Sequence, residues 1–155
     1  MLADYERAFI LRNGFHVNGD QTRSGLSAFT YRPFTLEGNF AAAAGIQEML
    51  LQSYSGTIRV FPAVPRGWKD VSFSTLRAEG AFLVSAEREA GLTSRVEIRA
   101  ERGGDCSLED PFKGQGFTVT GLPRDAIRSE GGRLRFSLDP GQRVEFRQGR
   151  QVPSE

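Results

Sequence analysis

The chain has 155 residues, 39% of them hydrophobic, enough to bury one ordinary core, or a small domain with an appendage. Twenty basic against nineteen acidic residues leave a net charge of +1 with the signs interspersed, which argues against a nucleic-acid or membrane footprint and favours a neutral ligand. A single cysteine, Cys106, excludes an internal disulfide, and a single histidine, His16, excludes a histidine-rich metal site.

In chain order, residues 3 to 12 read as a short helix. Leu2, Tyr5 and Phe9 share a face at helical spacing, and Asn13-Gly14 supplies the left-handed stop. That apolar face needs a partner, either helices of a longer protein or the following domain. Phe15 to Pro33 is a polar loop without periodicity. It gathers His16, Asn18, Asp20, Gln21, Arg23, Tyr31 and Arg32, donors, acceptors and planar faces of the kind that hold sugar hydroxyls. Asn18 and Asp20 also serve as ordinary turn residues, and Arg23 as a solvated one.

Pro33 holds Arg32 extended, Gly38 interrupts regular structure, and Asn39 is placed to cap a helix over residues 40 to 52. Glu37 then sits at the mouth of that helix, where the positive end of the dipole keeps its carboxylate charged and directed. Such a group can act as a base or ligand-orienting residue, or simply stabilise the helix. Ala42, Ala43, Ile46, Met49 and Leu50 form one stripe, Leu51 lies off it, and Gln47 and Glu48 face solvent. Four consecutive alanines and Gly45 let another backbone approach closely, as in a helix packed among helices or on a sheet.

From Ser55 the period becomes two. Short strands within 57–61, 73–78, 81–89, 94–101, 106–108, 117–119, 134–138 and 143–146, punctuated by glycine turns, predict an antiparallel β-sandwich beginning near Thr57. Val60, Phe73, Phe82, Val84, Val96, Ile98, Phe136 and Phe146 are its expected inward residues, and Cys106 packs among them as a small core group. Pro62 and Pro65 restrict their segment to an edge or linker. Trp68 is a packing anchor or a sugar-stacking platform, and the tail 149–155 is polar. The fold class is therefore α+β: a sandwich preceded by two helices.

Serine-hydrolase, P-loop and Cys-x-x-Cys motifs are absent, and Gly114-x-Gly116 is a turn, so no cofactor is called for. The longest apolar run is too short to span a bilayer and residues 1–4 begin no secretory signal, so a soluble chain is expected. An export signal of a longer parent would lie upstream, which leaves the compartment open.

Several of these blocks carry a family resemblance. Leu36-Glu37-Gly38-Asn39-Phe40, the run Ala44-Gly45-Ile46-Gln47-Glu48-Met49-Leu50-Leu51-Gln52-Ser53, Phe61-Pro62-Ala63-Val64-Pro65, Leu76-Arg77-Ala78 and Gly80-Ala81-Phe82 recur in that order in glycoside hydrolase family 95. The similarity runs from about residue 12 to residue 100 and fades beyond. It implies the C-terminal part of a larger enzyme: residues 1–54 as the last helices and active-site loop of an (α/α)6 catalytic barrel, 55–148 as the C-terminal β-sandwich, 149–155 as a tail. It also implies hydrolysis of α-L-fucosides or related α-L-galactosides with inversion, by asparagines that activate water and are polarised by an aspartate.

That aspartate falls on Glu37, where glutamate stands instead, with Asn39 beside it in the motif. The extra methylene shifts the carboxylate, and misplacement on that scale costs about 100-fold in rate. On this resemblance the catalytic candidates are Glu37 and Asn39, with His16, Asp20, Arg23, Tyr31 and Arg32 as substrate-binding candidates, carbohydrate as the ligand and the upstream barrel as the partner. Inversion requires an acid and a base roughly 6.5–9.5 Å apart. Upstream of Glu37 only Asp4, Glu6 and Asp20 carry carboxylates, none in the context of the family's acid, so the chain alone is expected to be catalytically incomplete. A second expectation is a non-catalytic β-sandwich that binds carbohydrate or a protein partner.

Overall fold

The computed structural model describes residues 2–149, so the expected tail lies outside the described residues apart from Gly149. The chain divides into two compact units, 1–47 and 48–155.

The first unit contains helix α1 (Leu2–Phe9) and most of helix α2 (Leu36–Leu50). Helix α1 stops at Phe9 rather than continuing to Arg12. Ile10 pairs with His16 in an isolated antiparallel bridge, and the Gly14 N–H, at φ 81°, donates to the Leu11 carbonyl to reverse the chain. Asn13-Gly14 is thus the turn of a reversal instead of a helix cap. Helix α2 begins at Leu36, four residues before the expected start, and Gly38 lies inside it. A Cβ at Gly38 would come within 2.2 Å of His16 Nδ1, so glycine is present to admit a ring, not to break the helix. Asn39 is consequently a first-turn residue and not the N-cap.

The second unit is built from β1 (Leu51–Gln52), β2 (Arg59–Val60), β3 (Val71–Ala78), β4 (Phe82–Glu89), β5 (Leu92–Ala100), β6 (Gly104–Glu109), β7 (Phe117–Thr120), β8 (Arg128–Glu130), β9 (Arg133–Leu138) and β10 (Arg143–Gln148). One layer is an antiparallel sheet in the order β3-β4-β5-β10-β7. The other places β6-β9-β8 beside the β1-β2 ribbon, joined through a parallel bridge between Ile58 and Leu108. There the Ile58 N–H donates to Ser107 O (2.8 Å) and the Glu109 N–H to Ile58 O (2.9 Å).

Alternation makes the layers face each other. In β9, Leu134, Phe136 and Leu138 are buried between exposed Arg133, Arg135 and Ser137, the period of a half-buried strand. Phe82, Val84, Val96, Ile98, Phe136 and Phe146 are buried as expected, and Val60 and Phe73 pack partly buried against the same core. Phe146 lies between Phe136 (ring centroids 5.4 Å) and Phe117 (5.8 Å), and Cys106 is buried with its thiol pushed up to about 12 by desolvation. Periodicity did not reveal β8, whose Arg-Ser-Glu sequence is wholly exposed.

The first layer carries two local irregularities. In β3 the register slips between Phe73 and Leu76, a bulge in which Thr75 adopts φ 60° and donates its N–H to Ser85 Oγ. On the solvent face, Arg95 donates to Glu87, Glu97 and Glu145 at 3.1, 2.5 and 2.6 Å, a half-exposed ionic net across three strands.

Candidate functional site

The polar segment after α1 is more ordered than its composition suggests. Its backbone is tied on both sides: Val17 N–H donates to Phe9 O, Gln21 N–H to Ala8 O, Asn18 N–H to Pro33 O and Thr35 N–H to His16 O. Val17 and Asp20 are fully buried beneath it.

His16 is the hub. Its ring stacks on Tyr5 (5.6 Å) and Phe9 (6.0 Å) and fills the space left open by Gly38. The His16 backbone N–H donates to Asn39 Oδ1 at 2.8 Å, while Asn39 Nδ2 donates to Gly14 O at 2.8 Å, so this one amide clasps the returning chain at both ends. The Thr35 hydroxyl donates to Asn18 Oδ1 at 3.1 Å and lies 2.5 Å from His16 Nδ1. Tyr5 completes the ring of contacts by donating its hydroxyl to Gly38 O at 3.0 Å, and desolvation raises its pKa.

These contacts fix the first turn of α2 and with it Glu37. The Glu37 side chain is exposed and has no partner among the described residues. Its carboxylate therefore lies at the positive end of a 15-residue helix, unpaired among the described residues.

The other predicted residues separate into two groups. Asp20 turns inward: Oδ1 accepts from the Thr22 N–H (2.9 Å) and hydroxyl (2.7 Å), and Oδ2 from the Ser24 hydroxyl (3.0 Å) and Leu26 N–H (3.2 Å). The Thr22 hydroxyl is the largest influence holding this carboxyl well below the usual carboxylate range, with burial opposing it. Arg32 donates to Gln21 Oε1 at 2.6 Å. Tyr31 is exposed and meets Phe29 edge-on, and Arg23 is exposed with its backbone at φ 55°. The structure thus brings His16 and Asn39 together at the Glu37 turn, and sets Asp20, Arg23, Tyr31 and Arg32 in the adjoining loop.

Sequence reasoning missed Tyr5 and Thr35. Tyr5 stood in an apolar stripe that hid its hydroxyl, and Thr35 stood in what read as a loop. A groove of about 600 Å³ between α1 and the loop is lined by Asp4, Tyr5, Phe9, Thr22, Ser24 and Leu26, among others. Among the described residues no group of three or more His, Cys, Asp or Glu side chains could hold a metal ion, and no helix is long and apolar enough to cross a membrane.

Comparison with known proteins bears on the second unit. No curated protein matches the chain. A crystal structure of a GH127 beta-L-arabinofuranosidase from Geobacillus stearothermophilus T6 is similar at 17% identity with a TM-score of 0.34, over 73% of this chain and 18% of that one. The present chain therefore spans less than a fifth of that protein's length. Residues 52–146, more than half the chain and nearly all of the β-sandwich, match the family described as Glycoside hydrolase family 95, C-terminal domain. On that match, the chain belongs to glycoside hydrolase family 95 and carries its C-terminal domain.

Proposed function

We propose that the chain is the C-terminal portion of an inverting glycoside hydrolase acting on α-L-fucosides or related α-L-galactosides. Residues 1–54 close an (α/α)6 catalytic barrel and 55–148 form the accompanying β-sandwich. One observation carries this reading: α2 is predominantly apolar over its length, with alanines and large aliphatic and aromatic side chains, and yet has no buried residue. A helix of that character belongs in a protein interior. Leu36, Phe40 and Ile46 stand exposed along it, with Phe15 and Phe34 near its start, a surface suited to further helices of a parent enzyme.

In this reading Glu37 polarises the group that activates water, and the acid comes from the upstream barrel. Asn39, with both ends of its amide engaged by the loop backbone, and Asp20, engaged inside the loop, position the site. Arg23, Tyr31, Arg32 and His16 contribute to binding the sugar. The chain alone is then inactive.

The experiment is Glu37→Gln in the parent enzyme, assayed on an aryl α-L-fucoside. Removing a polarising carboxylate should lower kcat by about 100-fold or more, with KM and the unfolding transition little changed. Turnover equal to wild type would reduce Glu37 to a helix-end charge and leave the chain as a non-catalytic, carbohydrate- or partner-binding module.

A further inference from the structure

The solvent face of the β6-β9-β8 sheet carries two adjacent rows of side chains with opposite electrostatics. In one row Arg133 stands between Glu109 and Glu130, the alternation that cross-strand pairing favours. In the next, Ser107, Arg135 and Arg128 stand side by side, so two arginines oppose each other directly across the β8–β9 ladder. Like charges in that relation destabilise a sheet.

Neither guanidinium meets a carboxylate among the described residues, as is also true of Arg133, whose flanking glutamates are register neighbours only, whereas Arg59, Arg77, Arg95, Arg143 and Arg147 of the same domain each meet one. Arg128 has an ordinary reason to be charged, because β8 is an edge strand and charge there discourages pairing with other chains. Arg135 lies on the central strand and does not share that reason.

The two arginines border a polar groove of about 530 Å³ that also includes Asp105, Ser107, Glu130 and Ser137. Asp105 accepts the Ser137 hydroxyl at 2.5 Å and forms no ion pair with either guanidinium. We propose that this groove binds an oxyanion, and that the oxyanion is the carboxylate of a uronic acid. Paired guanidinium forks match the planar geometry of a carboxylate. Asp105 and Glu130 on the same walls repel a bare anion but accept hydroxyl protons from a sugar ring, and Ser107 can donate to one. An acidic saccharide is the ligand that uses both halves of the groove.

The test is titration of the full chain with galacturonate, with galactose and inorganic sulfate in parallel, followed by calorimetry or NMR shifts. Galacturonate should bind in about the millimolar range, more weakly as salt rises, and Arg128→Gln or Arg135→Gln should each weaken it about tenfold or more. Both side chains are exposed, so the fold tolerates the change, and Arg133→Gln in the compensated row should leave binding unaltered. Sulfate bound as tightly as galacturonate, with the same arginine dependence, keeps the oxyanion site and overturns its assignment to an acidic sugar. Galactose bound as tightly as galacturonate, or no arginine-dependent binding of either anion, overturns the proposal.

Discussion

At the scale of single residues, the glutamate turn is held by a lock between a missing side chain and an imidazole. A methyl group at Gly38 would meet His16 Nδ1 at 2.2 Å, and the ring cannot swing aside without leaving Tyr5 and Phe9. Gly38→Ala should therefore destabilise the first unit by about 1–3 kcal/mol in denaturant unfolding. His16→Ala in the same chain should recover much of that loss, since the clash partner is gone. Asp20 gives a prediction in pH. Its folded pKa lies below the ordinary 3.8, so its contribution is fully present above that value and is lost as pH falls through the folded one. The protection of the Thr22 and Leu26 amides, taken relative to their intrinsic exchange rates, should stay high from neutral pH down through 3.8 and be lost only below it. Asp20→Asn should lower that protection at neutral pH as well, because an amide cannot accept all four donors. Wild-type amides that lose protection already at mild acidity would contradict the assignment. Asp20 could be picked from the sequence as a polar residue in a loop, but not as the loop's buried centre, since nothing in its neighbours announces four converging donors.

At the scale of elements, legibility followed periodicity. Strands with one buried face, such as β4, β5 and β9, announced themselves by alternation, whereas β8 is exposed on both faces and offered no pattern. The start of α2 was misplaced because Gly38 signals a break when read along the chain and a packing contact when read across it, and its end because Leu51 and Gln52 pair with Val60 and Arg59 as β1 instead of extending the helix. The bulge in β3 was equally hidden. Thr75 is β-branched and sits at φ 60°, a conformation that costs a non-glycine residue about 1–3 kcal/mol. Its side chain is exposed, and its one hydrogen bond among the described residues is with the neighbouring Ser74 hydroxyl, at 3.1 Å, so little is lost with it. Thr75→Gly should consequently raise stability by about 1 kcal/mol, read as a higher denaturant midpoint at unchanged slope. A lower midpoint would mean that the hydroxyl or the methyl group contributes more than the backbone strain costs.

At the scale of the whole molecule, the two units carry different kinds of information. The β-sandwich matches its family and buries a continuous core, while the unit bearing Glu37 buries Ala8 and Val17 but presents most of its large apolar residues to solvent. The sandwich also has an order of assembly written into its connectivity. Strands β3, β4 and β5 are sequential neighbours joined by tight turns, so they can pair as soon as they exist. Ile58 must instead wait for Leu108, fifty positions further along, before its parallel bridge can form. Closing so long a loop costs entropy that nearby hairpins do not incur. During refolding, pulsed hydrogen exchange should find the β4 and β5 amides protected first and the Ile58 amide later; simultaneous protection would contradict this order. Until that latch closes, the β1–β2 ribbon leaves the Ile58 side of its backbone unpaired, an edge open to strands of other nascent chains. The parallel bridge that completes the second layer thus also sets the interval during which a crowded, half-made molecule is most at risk of joining the wrong sheet.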